Sequence, residues 1–355
     1  MILCGINHCF ASALPSELLK WQTLNKIPAV AISVNNGDGT YSAYNGVIMQ
    51  GNKKKITADN YFQIGSISKT FIAASILTLE QNGKLNINDS VDKYLKNYPR
   101  WNKITLRQLM NMSSGIYNYT DAFPILGLTE PQQQKIYKPE ELLAIAYKHP
   151  DTFKAGSSWG YSNTNYVILG IIIEQITEQD LNLALAEQFF EPLELKHTEY
   201  VGTGFSATTL KNLVHGYRDN KDVTNLNLSS YAAAGAIIST SDDISKWFKL
   251  LMSGQVLAKK QQQELMQTIA IGNHPPKPAT AQFGLGIYEY TSPTYGKLWW
   301  YQGVTEGYIS FVAYLPSNEI SFTILTDKRN SANINYFMPD NPLMQKLVPQ
   351  IIQMR

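Results

Sequence analysis

Strand-like alternation occurs near the two ends of this chain and is nearly absent between them. The N-terminal part offers two strands around a polar turn, and the C-terminal part offers four more in succession: Pro28–Val34, Tyr41–Gln50, Phe283–Tyr290, Lys297–Gln302, Tyr308–Leu315 and Glu319–Thr326. Helical patterns fill the middle. This order predicts an α+β fold (an α/β sandwich), in which one antiparallel sheet built from both chain ends is flanked by helices and carries a large helical insertion.

The helical segments set the expected domain boundaries. They are predicted at Ser16–Asn25, Phe71–Leu79, Ser90–Leu95, Leu106–Met112, Pro139–Lys148, Asn163–Thr177, Asp180–Phe190, Thr208–Tyr217, from Thr240 to about Met252, and Pro342–Met354. We expect residues 14–85 and 236–355 to form the sheet domain and residues 86–235 the helical domain, with the functional site between them.

Composition excludes some classes of protein. The chain has 355 residues, 44% of them hydrophobic, and a net charge of +2, so neither nucleic acid nor an anionic membrane is the expected partner. No stretch approaches the roughly 18–20 apolar residues of a membrane span.

The first thirteen residues read as a possible signal-peptide remnant. Cys4 and Cys9 are the only cysteines, and Ala11-Ser12-Ala13 resembles a processing site. A body without cysteine suits a periplasmic or secreted bacterial protein, although it also fits a cytosolic one. The basic start of a signal peptide is missing, so a plain N-terminal coil is the alternative.

A serine and a lysine three residues apart open the apolar run at Phe71–Leu79. Ser66 and Lys69 would share one face of a helix start, which places the amine beside the hydroxyl. A serine becomes a good nucleophile when a neighbouring base takes its proton, and a lysine can be that base if burial lowers its pKa. The alternative is a helix N-cap serine followed by a solvated lysine.

Two further motifs could complete such a site. Tyr161 and Asn163 stand at the entrance of an apolar helix, where a phenol could shuttle a proton and an amide could hold a lysine. In the C-terminal strands, Gly303 before Val304 would let backbone approach a ligand, and a strand N–H is a natural oxyanion donor. The alternatives are an N-cap asparagine, a packing tyrosine and an ordinary hairpin.

In this order the three elements resemble the serine β-lactamase and penicillin-binding-protein superfamily, in its class C β-lactamase, D-alanyl-D-alanine carboxypeptidase and esterase branch. Ser66-Ile-Ser-Lys69 resembles its Ser-x-x-Lys element, Tyr161-Ser-Asn163 its Tyr-x-Asn element, and Tyr301-Gln302-Gly303 stands where it has Lys-Thr-Gly, His-Thr-Gly or His-Gly-Gly. The segments 104–116, 153–156 and 234–243 also resemble it, so the likeness covers about residues 20–330.

The resemblance implies roles for these residues. Ser66 would form an acyl-enzyme, with Lys69 and Tyr161 sharing its proton, and either could be the base. Asn163, Tyr301, Gln302 and Gly303 would contact substrate, and the N–H groups of Ser66 and Val304 would form the oxyanion hole. No cofactor or metal is implied, and His8, His149, His197, His215 and His274 show no metal-ligand spacing.

The chain departs from the superfamily at Tyr301, where a lysine or histidine usually helps to bind a substrate carboxylate. Tyrosine offers a hydrogen bond without a charge. Arg329, just past a strand, is a candidate to replace the cation.

Three functions follow from the resemblance. The first is a D-alanyl-D-alanine carboxypeptidase-like or β-lactamase-related peptidase acting on cell-wall peptides, with peptides, β-lactams or peptidoglycan as partners. The alternatives are a carboxylesterase acting on esters, and a non-catalytic peptidoglycan-binding scaffold.

Overall fold

The structure is a computed structural model that describes residues 13–36, 39–122, 133–272, 278, 280–330 and 334–354. Three features singled out in the sequence lie outside these residues. They are the segment 1–12 with Cys4 and Cys9, the centre of the turn before Thr40, and His274.

One large antiparallel sheet dominates the described chain. Its eight strands are Ala29–Asn35 (β1), Thr40–Gly46 (β2), Ile269–Ala270 (β8), Gln282–Phe283 (β9), Tyr288–Ser292 (β10), Gly296–Val304 (β11), Ile309–Leu315 (β12) and Ile320–Thr326 (β13). They run in the order β2-β1-β13-β12-β11-β10-β9-β8, so strands from the two chain ends meet where β1 pairs with β13. The predicted α+β fold with an antiparallel sheet flanked by helices is confirmed.

Both faces of the central strands are covered. Phe311 and Val312 are neighbours on β12 and therefore point to opposite faces. On the Phe311 side, Phe337 packs on the strand and Trp21 of the N-terminal helix packs on Phe337. The helix Ser241–Met252 lies across β13, β1 and β12 on the other side. This explains why every residue of β12 and β13 is buried although the strands are antiparallel.

Helices flank the sheet and fill the middle of the chain. In the described residues their bounds are Ser16–Asn25, Ser68–Gln81, Leu106–Met110, Tyr119–Ala122, Pro139–Tyr147, Asn163–Thr177, Leu181–Leu185, Ala207–Asn212, Ser241–Met252, Lys259–Leu265 and Pro342–Ile352. None of these helices has the length and apolar character needed to cross a bilayer.

Some predicted elements are shorter than expected. Ser90–Leu95 contains only a 3-10 turn at Val91–Lys93, and the segment predicted at Asp180–Phe190 turns into a π-helical stretch at Ala186–Phe190. The predicted strand Phe283–Tyr290 is two strands, because Gly286 has a φ of +84° between them and breaks the extended backbone.

Two small sheets lie beside the site. One joins Phe62–Gln63 (β3), Ile237–Ser239 (β7) and Glu199–Tyr200 (β4), and the other joins Lys328–Arg329 (β14), Tyr217–Arg218 (β5) and Lys221–Asp222 (β6). The first holds the segment before Ser66 against the segment after Ala234. The division of the chain into a sheet domain and a helical domain stays a prediction.

Candidate active site

Ser66 lies in a 3-10 turn, Gly65–Ile67, that leads directly into the helix Ser68–Gln81. Its side chain therefore does not cap the helix, and the N-cap interpretation is wrong. Gly65 adopts a φ of +50°, and a Cβ on it would lie 2.8 Å from the backbone nitrogen of Val304. Only glycine allows this turn to come so close to β11.

The helix that follows is fixed by its packing. The Phe71 ring stacks on Trp247 at 4.0 Å, and the Trp247 indole N–H donates to Thr70 Oγ1 at 2.9 Å. Along the same helix, Lys69 is completely buried. The lysine side chain is thus held in the core, and the solvated alternative is wrong.

Lys69 Nζ lies between three oxygens. It is 2.9 Å from Ser66 Oγ, 2.8 Å from Asn163 Oδ1 and 2.7 Å from the Ala234 carbonyl oxygen. A neutral amine has two N–H groups and one lone pair. If the two N–H groups donate to Asn163 Oδ1 and to the Ala234 carbonyl oxygen, two atoms that can only accept, the lone pair faces the Ser66 hydroxyl and can take its proton.

Burial acts on the two titratable groups in opposite directions. Burial without a carboxylate partner lowers the pKa of Lys69 well below its usual value of 10.5, because the ammonium form loses its hydration. Desolvation by the surrounding protein raises the pKa of the Tyr161 phenol to about 12, and the hydrogen bond to Ser66 lowers it by a smaller amount. The uncharged pair, amine and phenol, is favoured over ammonium and phenolate.

Tyr161 completes the contacts of the Ser66 hydroxyl. Its hydroxyl is 2.7 Å from Ser66 Oγ, on the loop before the helix Asn163–Thr177. Asn163 is the first residue of that helix and Ser162 is its N-cap, so the N-cap interpretation of Asn163 is wrong. The Asn163 Nδ2 group donates to Thr120 Oγ1 at 3.2 Å, which turns Oδ1 toward Lys69.

The backbone N–H groups of Ser66 and Val304 are the candidates for an oxyanion hole. That of Ser66 belongs to the first turn of a helical segment, which leaves it without an intrahelical acceptor. Thr305 N–H bonds to Tyr308 O, so the adjacent pair, Val304 and Ile309, is a non-hydrogen-bonded pair of the ladder. The Val304 N–H consequently points away from β12. Val304 itself lines the cavity over Ser66.

A cavity of about 260 Å³ opens over Ser66. Its other lining residues among those described are uncharged and mostly aromatic or aliphatic: Tyr161, Asn163, Tyr231, Tyr288, Trp300, Tyr301, Gln302, Val304, Ile334, Asn335 and Met338. Tyr301 is 1% exposed, and its hydroxyl approaches that of Tyr161 without a hydrogen bond of normal geometry. Burial raises the pKa of Tyr301 well above its usual value, so this group carries no charge.

Gln302, Gly303 and Arg329 occupy different surroundings. Gln302 lines the cavity and donates from Nε2 to the Ile334 carbonyl at 2.6 Å. A Cβ on Gly303 would lie 1.8 Å from the Ile64 carbonyl oxygen, so its glycine admits protein backbone where a ligand was expected. Arg329 contacts Glu306 and the Thr305 carbonyl and is not among the described residues that line the cavity.

Sequence reasoning missed two parts of this site. The first is the Ala234 carbonyl, which any residue could supply and which therefore leaves no signal in the sequence. The second is the wall made by Tyr231, Tyr288, Trp300, Ile334 and Met338. The abundance of tyrosine was a signal for it, but composition does not say which tyrosines share a cavity.

These elements define a serine hydrolase site, and comparison with known proteins names its family. A family model described as Beta-lactamase matches residues 21–338. The chain therefore belongs to the β-lactamase family, whose members and structural neighbours here are serine hydrolases.

Two relatives and two solved structures illustrate the similarity. Penicillin-binding protein 4* of Bacillus subtilis (strain 168) is 22% identical over 312 residues, covering 84% of this chain and 67% of that protein. Protein flp of Staphylococcus aureus (strain MW2) is 26% identical over 314 residues, covering 84% of this chain but only 58% of its own length.

Among solved structures, a D-stereospecific amidohydrolase from Streptomyces sp. has a TM-score of 0.77 at 27% identity, covering 91% of this chain and 98% of that one. The D-amino acid amidase from Ochrobactrum anthropi SV3, complexed with D-phenylalanine, has a TM-score of 0.84 at 21% identity, covering 95% and 98%. At that identity, the second likeness shows the fold alone.

Proposed function

We propose that this protein is a serine amidohydrolase that cleaves amides or esters of D-amino acids, including short peptides with a neutral end. The observation that carries the proposal is the uncharged wall of the cavity over Ser66, with Tyr301 where related enzymes have a cation. A substrate carboxylate placed there would lose its hydration without gaining a counter-ion, which is costly. A neutral amide or ester avoids that cost.

The proposed acylation uses groups from four residues. The Lys69 amine takes the Ser66 proton while Oγ attacks the substrate carbonyl carbon, and the N–H groups of Ser66 and Val304 stabilise the oxyanion. Such a donor is worth on the order of 2.7–4 kcal/mol of barrier. Tyr161 then gives its proton to the leaving nitrogen or oxygen and recovers one from Lys69. The carbon–nitrogen or carbon–oxygen bond breaks and leaves an ester on Ser66.

Deacylation repeats these steps with water as the nucleophile. Water loses a proton to the Lys69 and Tyr161 pair, attacks the ester carbonyl and releases a free carboxylic acid. Ser66 Oγ recovers its proton as it leaves. These steps need no redox change and no metal, and their atoms and protons balance with substrate and water alone.

The size of the cavity and the name of a similar solved structure narrow the range of substrates that we propose. A volume of about 260 Å³ lies just below the range of roughly 300–1,000 Å³ that takes drug-sized ligands, which favours a single amino acid derivative or a dipeptide. The aromatic wall favours an apolar side chain. The D configuration is proposed because the chain is 27% identical to a structure named as a D-stereospecific amidohydrolase.

The D-alanyl-D-alanine carboxypeptidase role ranks below this proposal. Two names support it: penicillin-binding protein 4* among the relatives and β-lactamase for the family. The absence of a cation among the described lining residues counts against it, because that reaction starts from a free C-terminal carboxylate. A carboxylesterase fits the same neutral wall, whereas a scaffold would not require Lys69 to be buried beside Ser66. Action on cell-wall peptides outside the cytoplasm stays a proposal.

The decisive experiment compares D-alanyl-D-alanine with D-alanyl-D-alanine amide. The two substrates differ in the charge at one end and hardly in shape, and the L,L amide controls for configuration. We expect kcat/KM for the amide to exceed that for the acid by about tenfold or more, which corresponds to about 1.4 kcal/mol. The Ser66→Ala variant should cleave neither.

Two further measurements complete the test. A Tyr301→Lys variant should shift the preference toward the acid, because it restores a cation beside the leaving group. A fluorophosphonate probe should label wild type and not Ser66→Ala, whereas a fluorescent penicillin, which carries a carboxylate, should label weakly. Faster cleavage of the free acid by wild type would overturn the proposal in favour of the carboxypeptidase.

A further inference from the structure

A buried carboxylate that the acyl-transfer steps do not use lies behind the cavity wall. Glu306 is 6% exposed and occupies the turn between β11 and β12, two residues after Val304. Its Oε2 is 3.3 Å from Arg218 Nη1, and its Oε1 is 3.3 Å from Arg329 Nη1. The Tyr231 hydroxyl also donates to Oε1, at 3.4 Å.

The cluster is connected first to β11, the strand whose Val304 N–H is proposed to stabilise the oxyanion. Arg329 Nη1 donates to the Thr305 carbonyl at 3.0 Å while it contacts Glu306, so it holds both residues of the turn. On the same turn, a Cβ on Gly307 would lie 2.7 Å from the backbone of Gly216. The tip of the hairpin is thus clamped against β5, and the direction of the Val304 N–H depends on that clamp.

The second connection is to the lysine. Tyr231, whose ring lines the cavity, stands three residues before Ala234, whose carbonyl holds Lys69 Nζ at 2.7 Å. Between them Ala232 has a φ of +44°, in the left-handed region that a residue with a Cβ rarely adopts. Such a conformation persists only where the surrounding structure imposes it. The hydrogen bond from Tyr231 to Glu306 holds the residue directly before Ala232 in place.

We propose that Glu306 is a positioning residue that sets the Ala234 carbonyl and the Val304 N–H relative to each other, through Tyr231 on one side and the hairpin turn on the other. The inference rests on the roles proposed above for Lys69 and Val304. Both groups act on the transition state, so a shift in either lowers the rate of acylation with little effect on substrate binding.

The test measures the rate at which a fluorophosphonate acylates Ser66, together with kcat and KM on a short-chain ester per titrated active site. In Glu306→Gln an amide nitrogen replaces one carboxylate oxygen. This nitrogen cannot accept a hydrogen bond from the guanidinium that it faces, so that contact is lost. We expect labelling and kcat to fall about 10–100-fold with KM changed less than about threefold. Tyr231→Phe keeps the ring and removes the bond, and it should lower the same rates by about three- to tenfold.

A double variant and a matched control sharpen the result. The double variant Glu306→Gln with Tyr231→Phe should lose less than the product of the two single losses, because an amide oxygen is a weaker acceptor than a carboxylate and the first change already weakens the bond that the second removes. Glu289→Gln breaks a 3.1 Å ion pair with Lys297 in the same sheet, away from the cavity, and should label within about twofold of wild type.

Three outcomes would overturn the inference. They are a wild-type labelling rate in Glu306→Gln with only a lower melting temperature, a raised KM with unchanged kcat, and multiplicative losses in the double variant. The fluorophosphonate carries no amino acid. If wild type labels but cleaves no D-amino acid amide, the proposed substrate is refuted, and the ratio of variant to wild-type labelling still decides the role of Glu306.

Discussion

Lys69 shows for a single residue how burial changes the pKa of a common side chain. Its amine is completely buried and faces three oxygens, and none of these partners among the described residues is a carboxylate. The sequence predicted the spacing from Ser66, because residues three apart on a helical turn are neighbours. It did not determine the protonation state, which depends on segments about 95 and 165 residues away that bring Asn163 and Ala234 to the amine.

The pH dependence of wild type follows from that state. Lys69 must be neutral to accept the Ser66 proton, and its pKa is lowered by burial, so kcat/KM should rise with pH through a value well below 10.5. It should fall again only as Tyr161, with a pKa of about 12, loses the proton it gives to the leaving group. A pH–rate profile checks both limbs, and a rise centred near 10.5 would contradict the neutral lysine.

Asn163→Asp should move the lower limb in a known direction. It places a carboxylate about where Oδ1 now lies, 2.8 Å from Lys69 Nζ, and a nearby opposite charge favours the ammonium form by roughly 1–3 pKa units. The limb should shift to higher pH and the rate at neutral pH should fall. Asn88→Asp, where the amide meets Arg107 on the surface, is the control and should leave the profile unchanged.

At the scale of elements, the contact between the Ser66 turn and β11 determines the geometry of the site. The helix Asn163–Thr177 and the N-terminal helix Ser16–Asn25 have the bounds that the sequence predicted, because their apolar periodicity and end signals are local. The approach of Ile64 and Gly65 to Gly303 and Val304 is not local. A glycine in a strand indicates a close approach but does not say to what.

Gly303→Ala should therefore destabilise the fold as well as the site. Its Cβ would lie 1.8 Å from the Ile64 carbonyl oxygen and 2.4 Å from Ser310 Oγ, and neither a backbone group nor a central strand can move freely. We expect a loss of at least about 3 kcal/mol in the free energy of unfolding, the upper end of ordinary overpacking costs. Urea denaturation checks this.

Gly39→Ala is the control for that variant. Beyond its chain neighbours, no atom of the described residues lies within 4 Å of a Cβ at Gly39, so the change should stay within about 0.5 kcal/mol of wild type. An unfolding free energy of Gly303→Ala close to that of wild type would show that the turn and the strand can separate.

At the scale of the whole molecule, both ends of the chain meet at Asp327, and this residue should couple stability to pH. Its Oδ1 accepts the Ala29 N–H at 2.8 Å and its backbone carbonyl accepts from Tyr217, so it joins the large sheet to a small one. Asp327 is fully buried, and burial raises the pKa of its carboxyl well above 3.8. The folded protein therefore retains a proton that the unfolded chain releases.

The sign of the effect follows from linkage. Below pH 3.8 both states are protonated, and as pH rises above that value the unfolded state is favoured until the folded carboxyl ionises. Asp327→Asn keeps an acceptor for Ala29 and removes the titration. Its stability relative to wild type should improve by up to about 1.4 kcal/mol per pH unit above pH ~4. Parallel pH–stability curves for the two proteins would contradict the prediction.

Periodicity, spacing and residue type alone predict the antiparallel sheet built from both chain ends and the segments that carry Ser66, Tyr161 and Val304, whereas the departure from a cation at Tyr301 follows from the family resemblance. Packing between distant segments, which these local signals do not describe, buries Lys69, holds Arg329 at Glu306, brings the Ala234 carbonyl to the site and places the side chains that wall the cavity. Desolvation and backbone contacts arise only where distant segments pack together. Every residue has a backbone carbonyl, so the residue type does not show which carbonyl will reach the site.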